Sequence, residues 1–184
     1  MICNTFDQYG TVSKIFHWVL FLLITGMLIF GFLLKDVPKT YQVYTSNIHK
    51  VMGVITLVLM LARLLWLRFN NNPSTFLHVP KWQRWLEHGI HISLYVTIIA
   101  MPLVGWMGSS SANKAPHLGG MILKLPIPQD RQLVKVLFEI HNYLAFVIIG
   151  LISLHLSAAL YHYYILKDEL MMRMMPKQNK RLFL

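Results

Sequence analysis

The chain has 184 residues, 55% hydrophobic and 13% charged, whereas soluble domains carry charge at about 25% of positions. Too few charges remain to coat a water-facing surface, and the apolar content excludes a disordered chain. Lys and Arg total 17 against 7 acids, a net charge of +10, but the bases lie between apolar runs rather than on one soluble face, so nucleic acid is not an expected partner. The solvent this composition suits is a lipid bilayer.

Four apolar runs follow in chain order. Ile15 to Leu34 is twenty residues without a charge, about 30 Å of helix and the thickness of the hydrocarbon. It reads as a retained span rather than a cleavable leader, since Lys14 is the only base just before it and no A-x-A-like site follows. His49 to Leu67 carries Arg63 near its far end, where a long side chain reaches the interface. Leu86 to Met107 opens with Glu87, His88 and His91 and contains Pro102, which a membrane helix tolerates. Ile140 to Leu166 holds 27 uncharged residues, roughly 40 Å of helix that must tilt or project. These runs predict an all-α, integral membrane four-helix bundle, one domain over residues 1–184 with helices at about 15–34, 49–67, 86–107 and 137–166. The longest connection, Gly108 to Lys135, is rich in Ser, Gly and Pro.

Basic residues orient the bundle, because cytoplasmic segments near a membrane retain Lys and Arg. With both termini cytoplasmic, ten bases fall inside: Lys14, Arg63, Arg68, Lys81, Arg84, Lys167, Arg173, Lys177, Lys180 and Arg181. Seven fall outside, namely Lys35, Lys39, Lys50, Lys114, Lys124, Arg131 and Lys135, against the three acids Asp36, Asp130 and Glu139, leaving +4 there. That outer excess is more than positive-inside sorting explains, and it suits an anionic visitor.

Cys3 is the only cysteine, so a metal or cofactor must be held by other ligands. Nine histidines are available, and one inside a bilayer is a functional-site hypothesis by default, the alternative being a hydrogen bond to a neighbouring helix. His17 and His155 fall at the inner level, His49 and His141 at the outer. The fourteen residues from His141 to His155 span about 21 Å and four turns less roughly 40°, so both face one side of their helix. Two levels, each with two imidazoles from different helices, suit a pair of bis-histidine haems, a saturated ligand set fitted to electron transfer. Gly53, four residues after His49, lies on the same face, either to admit a macrocycle or for helix packing. Another metal is the competing reading, on His88 and His91 or on His155 and His162, but carboxylates are scarce in the membrane and H-E-x-x-H is absent.

Across essentially its whole length the sequence resembles the bacterial four-helix cytochrome b561 proteins, including the superoxide oxidase type. The resemblance rests on His17-Trp18, on His49 with Gly53 and Leu59-Met60-x-x-Arg63-Leu64, and on His88-x-x-His91. It continues through His141 and His155, His162, and the tail Arg173-Met174-Met175-Pro176. It implies two b-type haems held without covalent attachment, consistent with the lack of C-x-x-C-H, on the pairs His17/His155 and His49/His141. Tyr163-Tyr164 stands where a second adjacent histidine is expected. The resemblance further implies a bacterial inner-membrane oxidoreductase that takes electrons from superoxide, or another outer donor, and gives them to ubiquinone or a related quinone.

A quinone that gains electrons must also gain protons. His91 and His162, with Lys81 beside them, are the expected quinone-end groups. Arg63 is divided between snorkelling and pairing with a haem propionate. Trp82, Trp85 and Lys81 equally suit an interfacial anchor belt. At the outer face Lys50, Lys114, Lys124, Arg131 and Lys135 are the bases that could attract superoxide. The alternatives are a haem-bearing anchor subunit linking quinone to a hydrogenase or dehydrogenase, and a non-haem transporter or structural membrane protein.

Overall fold

The computed structural model describes residues 1–5, 8–70, 80–168 and 170–175. Lys177, Lys180, Arg181 and Pro176, invoked above for orientation and for the tail motif, lie outside them, as does the stretch 71–79 of the basic hairpin. Helix α1 is Thr11–Leu33, continued by a 3-10 turn at Leu34–Asp36, α2 is Lys39–Phe69, and α3 is Lys81–Ser111. A two-stranded antiparallel hairpin follows, β1 at His117–Leu118 and β2 at Met121–Ile122, and then α4 at Arg131–Tyr161, which runs into a π turn at His162–Leu166. Among the described residues four helical segments of 26, 31, 31 and 36 residues are long and apolar enough to cross a membrane.

The helices extend beyond their apolar runs, and their polar flanks are helical too. The starts of α2, α3 and α4 have local causes. Pro38 and Pro80, in extended conformation, precede the first residues of α2 and α3, and Asp130 caps α4 by accepting from the backbone N–H groups of Gln132 and Leu133 at 2.6 and 2.9 Å. Once begun, a helix satisfies its own backbone and continues into water without further apolar residues. The Gly119-Gly120 turn joins β1 to β2, with Gly119 at φ +59°, a left-handed conformation that costs glycine little.

The helices pack in sequence, α1 on α2, α2 on α3 and, most extensively, α3 on α4. The core is one buried side chain from each helix, Leu20, Met60, Ile98 and Ile148. Large apolar side chains elsewhere face outward; Leu22, Leu65, Val96 and Phe146 are each at least 60% exposed. In water such a surface would be an aggregation hazard, whereas against lipid it is the expected exterior.

Both ends are tied by polar contacts. At the terminal end, Asn4 Oδ1 accepts from Gly10 N–H and from Ser13 Oγ, and Ser13 Oγ accepts from Trp66 Nε1 of α2. The segment after α4 returns beneath α1, where Lys14 Nζ donates to the Met175 carbonyl and Trp18 Nε1 to the Met174 carbonyl. At the loop end, Ser111 Oγ donates to the Pro128 carbonyl, Leu125 N–H donates to Ser110 Oγ, and Trp106 Nε1 donates to the Leu123 carbonyl. These bonds fold the 112–130 connection down over the bundle.

Candidate functional site

Ile148 of the core lies seven residues from both His141 and His155, so the apolar core separates two histidine levels. At the loop end, the rings of His49 on α2 and His141 on α4 are 6.3 Å apart, centre to centre. At the terminal end, the rings of His17 on α1 and His155 on α4 are also 6.3 Å apart.

The spacing bears on what could sit between the rings. With a metal–nitrogen bond of about 2.0 Å and a ring centre about 1.2 Å behind the nitrogen, two imidazoles sharing one axial metal are about 6.4 Å apart. Both pairs match that separation. His91 also reaches His155, at 5.0 Å, and so stands beside the terminal-end pair.

The loop-end pair lines an apolar cavity of about 430 Å³ between the helices, with Gly53, Gly105 and Trp106 also in its wall. His141 Nδ1 lies 3.0 Å from the Met101 carbonyl. Since only an N–H can bond there, Nδ1 is protonated and Nε2 keeps its lone pair, the usual division of labour in a metal-ligating histidine. His49 Nδ1 is buried with no hydrogen-bond partner, unlike its counterpart on His141.

Glycines hold both rings. A Cβ at Gly105 would fall 2.9 Å from His141 Cε1, and one at Gly31 would fall 3.2 Å from His49 Cε1. Gly53 makes no such demand, since a Cβ there would meet Pro102 and Met27 at ordinary contact. Sequence reasoning picked Gly53 by its four-residue interval and missed Gly31 and Gly105, whose partners lie on other helices; their only sequence signal is glycine inside an apolar run. The donor set and the cavity fit a haem.

At the terminal end a second groove, of about 540 Å³, is lined by Lys81, Arg84, Trp85, Glu87, His88 and His91. His91 and Lys81 are thus brought together. His162 is not among the groove's described lining; its Nδ1 pairs instead with the Asp168 carboxylate across the π turn. The other Asp168 oxygen accepts from Leu170 N–H, so one carboxylate joins the end of α4 to the returning tail. Asp168 was not singled out from sequence, because six intervening residues and a π turn set the contact. Arg63 stacks over the Tyr95 ring, 5.6 Å from its centre. Among the described residues no group of three or more His, Cys, Asp or Glu is placed to hold a metal ion.

A membrane-embedded helical bundle with two facing histidine pairs defines the class of a haem-bearing electron carrier. The family model described as prokaryotic cytochrome b561 matches residues 8–177, and the chain belongs to that family. Among its relatives, "Cytochrome b561 homolog 1" of Escherichia coli (strain K12) is 31% identical over 177 residues, covering 94% of this chain and 99% of the relative. "Probable superoxide oxidase CybB" of Yersinia pestis is 31% identical over 180 residues, covering 94% and 98%. "Cytochrome b561 homolog 2" of Escherichia coli (strain K12) is 24% identical over 179 residues, covering 96% and 95%. Membership carries with it b-type haem and electron transfer in a multi-pass bacterial membrane protein.

Proposed function

We propose that this chain oxidises superoxide at the outer face of the bacterial inner membrane and delivers the electrons to ubiquinone or a related quinone. The observation that carries this reading is the repetition of one 6.3 Å histidine pair at two levels of the bundle. The name of the Yersinia relative suggests the donor. His49/His141 and His17/His155 would each hold one haem, and the two would supply one-electron carriage between the levels. Both termini lie on the cytoplasmic side, so the loop end is the outer end.

The chain's own residues handle charge and protons. Two superoxide ions each give up one electron and leave as dioxygen, so the outer face needs no acid or base, only a field that draws in an anion. Lys124, Arg131 and Lys135 on the outer connection and α4 provide it. At the inner end a quinone gains two electrons and two protons. The groove between Lys81 and His91 receives the headgroup, and His91 hydrogen-bonds a carbonyl. His162, outside that lining and held through Nδ1 by Asp168, would pass its Nε2 proton toward the groove rather than give it to the headgroup directly.

The reading is tested by mixing the purified, haem-loaded protein with pulses of superoxide, with and without a soluble quinone, and following the reduced haem bands. Fast reduction without quinone, reoxidation with it, and a second-order rate that falls as ionic strength rises are expected. Haem that superoxide leaves oxidised removes the donor. A haem-bearing partner subunit is the reading that replaces it if a hydrogenase or dehydrogenase co-purifies in mild detergent.

A further inference from the structure

The loop-end cavity has a feature that its histidines do not account for. Lys50, the residue after His49, and Lys114 both line it. The left-handed Asn113, at φ 55°, ends α3 and turns the chain back, with Lys114 N–H donating to the Ser109 carbonyl. That turn fixes Lys114 at the cavity mouth. Lys50 Nζ donates to the Lys114 carbonyl at 2.7 Å, which binds the two basic residues into one rim. No Asp or Glu lines the cavity among the described residues, and neither lysine has a carboxylate partner among them.

Two cations on the rim of an apolar cavity repel each other, and an anion between them relieves that repulsion. The ligand that fits the space has an apolar disc for the walls, a metal for the two imidazoles and two carboxylates on one edge. We propose that Lys50 and Lys114 hold the two propionates of the outer haem, fixing its carboxylate edge toward the loop end. The assignment rests on the haem reading of His49/His141 and is independent of the electron donor. It also removes these two lysines from the bases free to attract superoxide, leaving Lys124, Arg131 and Lys135.

Haem iron carries one more positive charge when oxidised, so a nearby cation disfavours the oxidised form and raises the midpoint potential. The test is potentiometric titration of the full-length, haem-loaded protein in detergent, with haem content measured alongside. Lys50→Gln and Lys114→Gln should each lower the potential of one haem, the one that disappears in His141→Ala, and leave the other in place. The expected change is at least threefold in the reduction equilibrium, about 28 mV for one electron. Lys50→Arg should keep the wild-type potential, and Lys39→Gln, an exposed base outside the cavity, should move neither haem.

Unchanged potentials in both Gln variants at full haem content overturn the proposal, as does an equal shift in Lys39→Gln, which marks a long-range field. Loss of one haem equivalent in Lys50→Gln supports it if Lys50→Arg restores the haem and overturns it if Arg does not. A wild-type protein that takes up no haem overturns the haem reading itself, a different result from two bound haems with unmoved potentials.

Discussion

The glycine against the His141 ring allows a graded test of the outer site. A Cβ at Gly105 falls 2.9 Å from Cε1 and 3.0 Å from Nδ1 of His141, where ordinary contact begins near 3.4 Å. Gly105→Ala therefore pushes the ring back by roughly 0.5 Å to escape repulsion. The displacement acts on the 3.0 Å bond from Nδ1 to the Met101 carbonyl, whose net contribution is about 1 kcal/mol. Weakening the hydrogen bond behind a metal-ligating histidine lowers affinity by about tenfold or more. Gly31→Ala, with a 3.2 Å approach to His49, needs less retreat and should cost about threefold or less. Gly150→Ala meets nothing within 4 Å and should cost nothing. The assay is the rate of haem transfer to an excess of a haem-free acceptor protein, read from the reduced-minus-oxidised spectrum. The order Gly105, Gly31, Gly150 is expected; a Gly105→Ala protein that holds both haems as firmly as wild type would refute the contact argument.

Four further outcomes are expected. His141→Ala should lose one haem and His17→Ala the other, each halving the haem-to-protein ratio in a pyridine haemochrome assay; loss of both from one substitution contradicts separate levels. Asp168→Asn should slow quinone reduction several-fold while leaving haem reduction by superoxide near wild type, because the His162 pair lies at the terminal end; parallel losses in stopped-flow traces of the two half-reactions would argue against this role. Trp18→Phe removes the donor to the Met174 carbonyl, worth about 1 kcal/mol, and should speed limited proteolysis of the 167–175 segment. Asp130→Ala removes the α4 cap and should lower stability by about 1 kcal/mol in detergent thermal unfolding; an unchanged melting temperature rules that cap unimportant.

The four spans were legible because uncharged runs of membrane length have few other uses, and the two histidine levels because fourteen residues nearly complete four turns. Helix ends were less so. An apolar run shows where lipid is, whereas a helix stops where its backbone loses partners, so α2 begins at Lys39 and not at His49. Rotational phase was half visible. His91 was expected at the terminal end of the bundle, but its 5.0 Å contact with His155 depends on how α3 packs on α4, which no interval encodes. The glycines behind the rings and the tail bonded to Lys14 and Trp18 are contacts between distant segments. They became visible only once the helices were placed side by side.

The most direct measurement is the haem-to-protein ratio of the purified chain in detergent, taken with its dithionite-reduced spectrum. The account predicts two b-type haems per chain. A ratio near zero after expression with ample haem would contradict it and leave the two facing histidine pairs as contacts between helices.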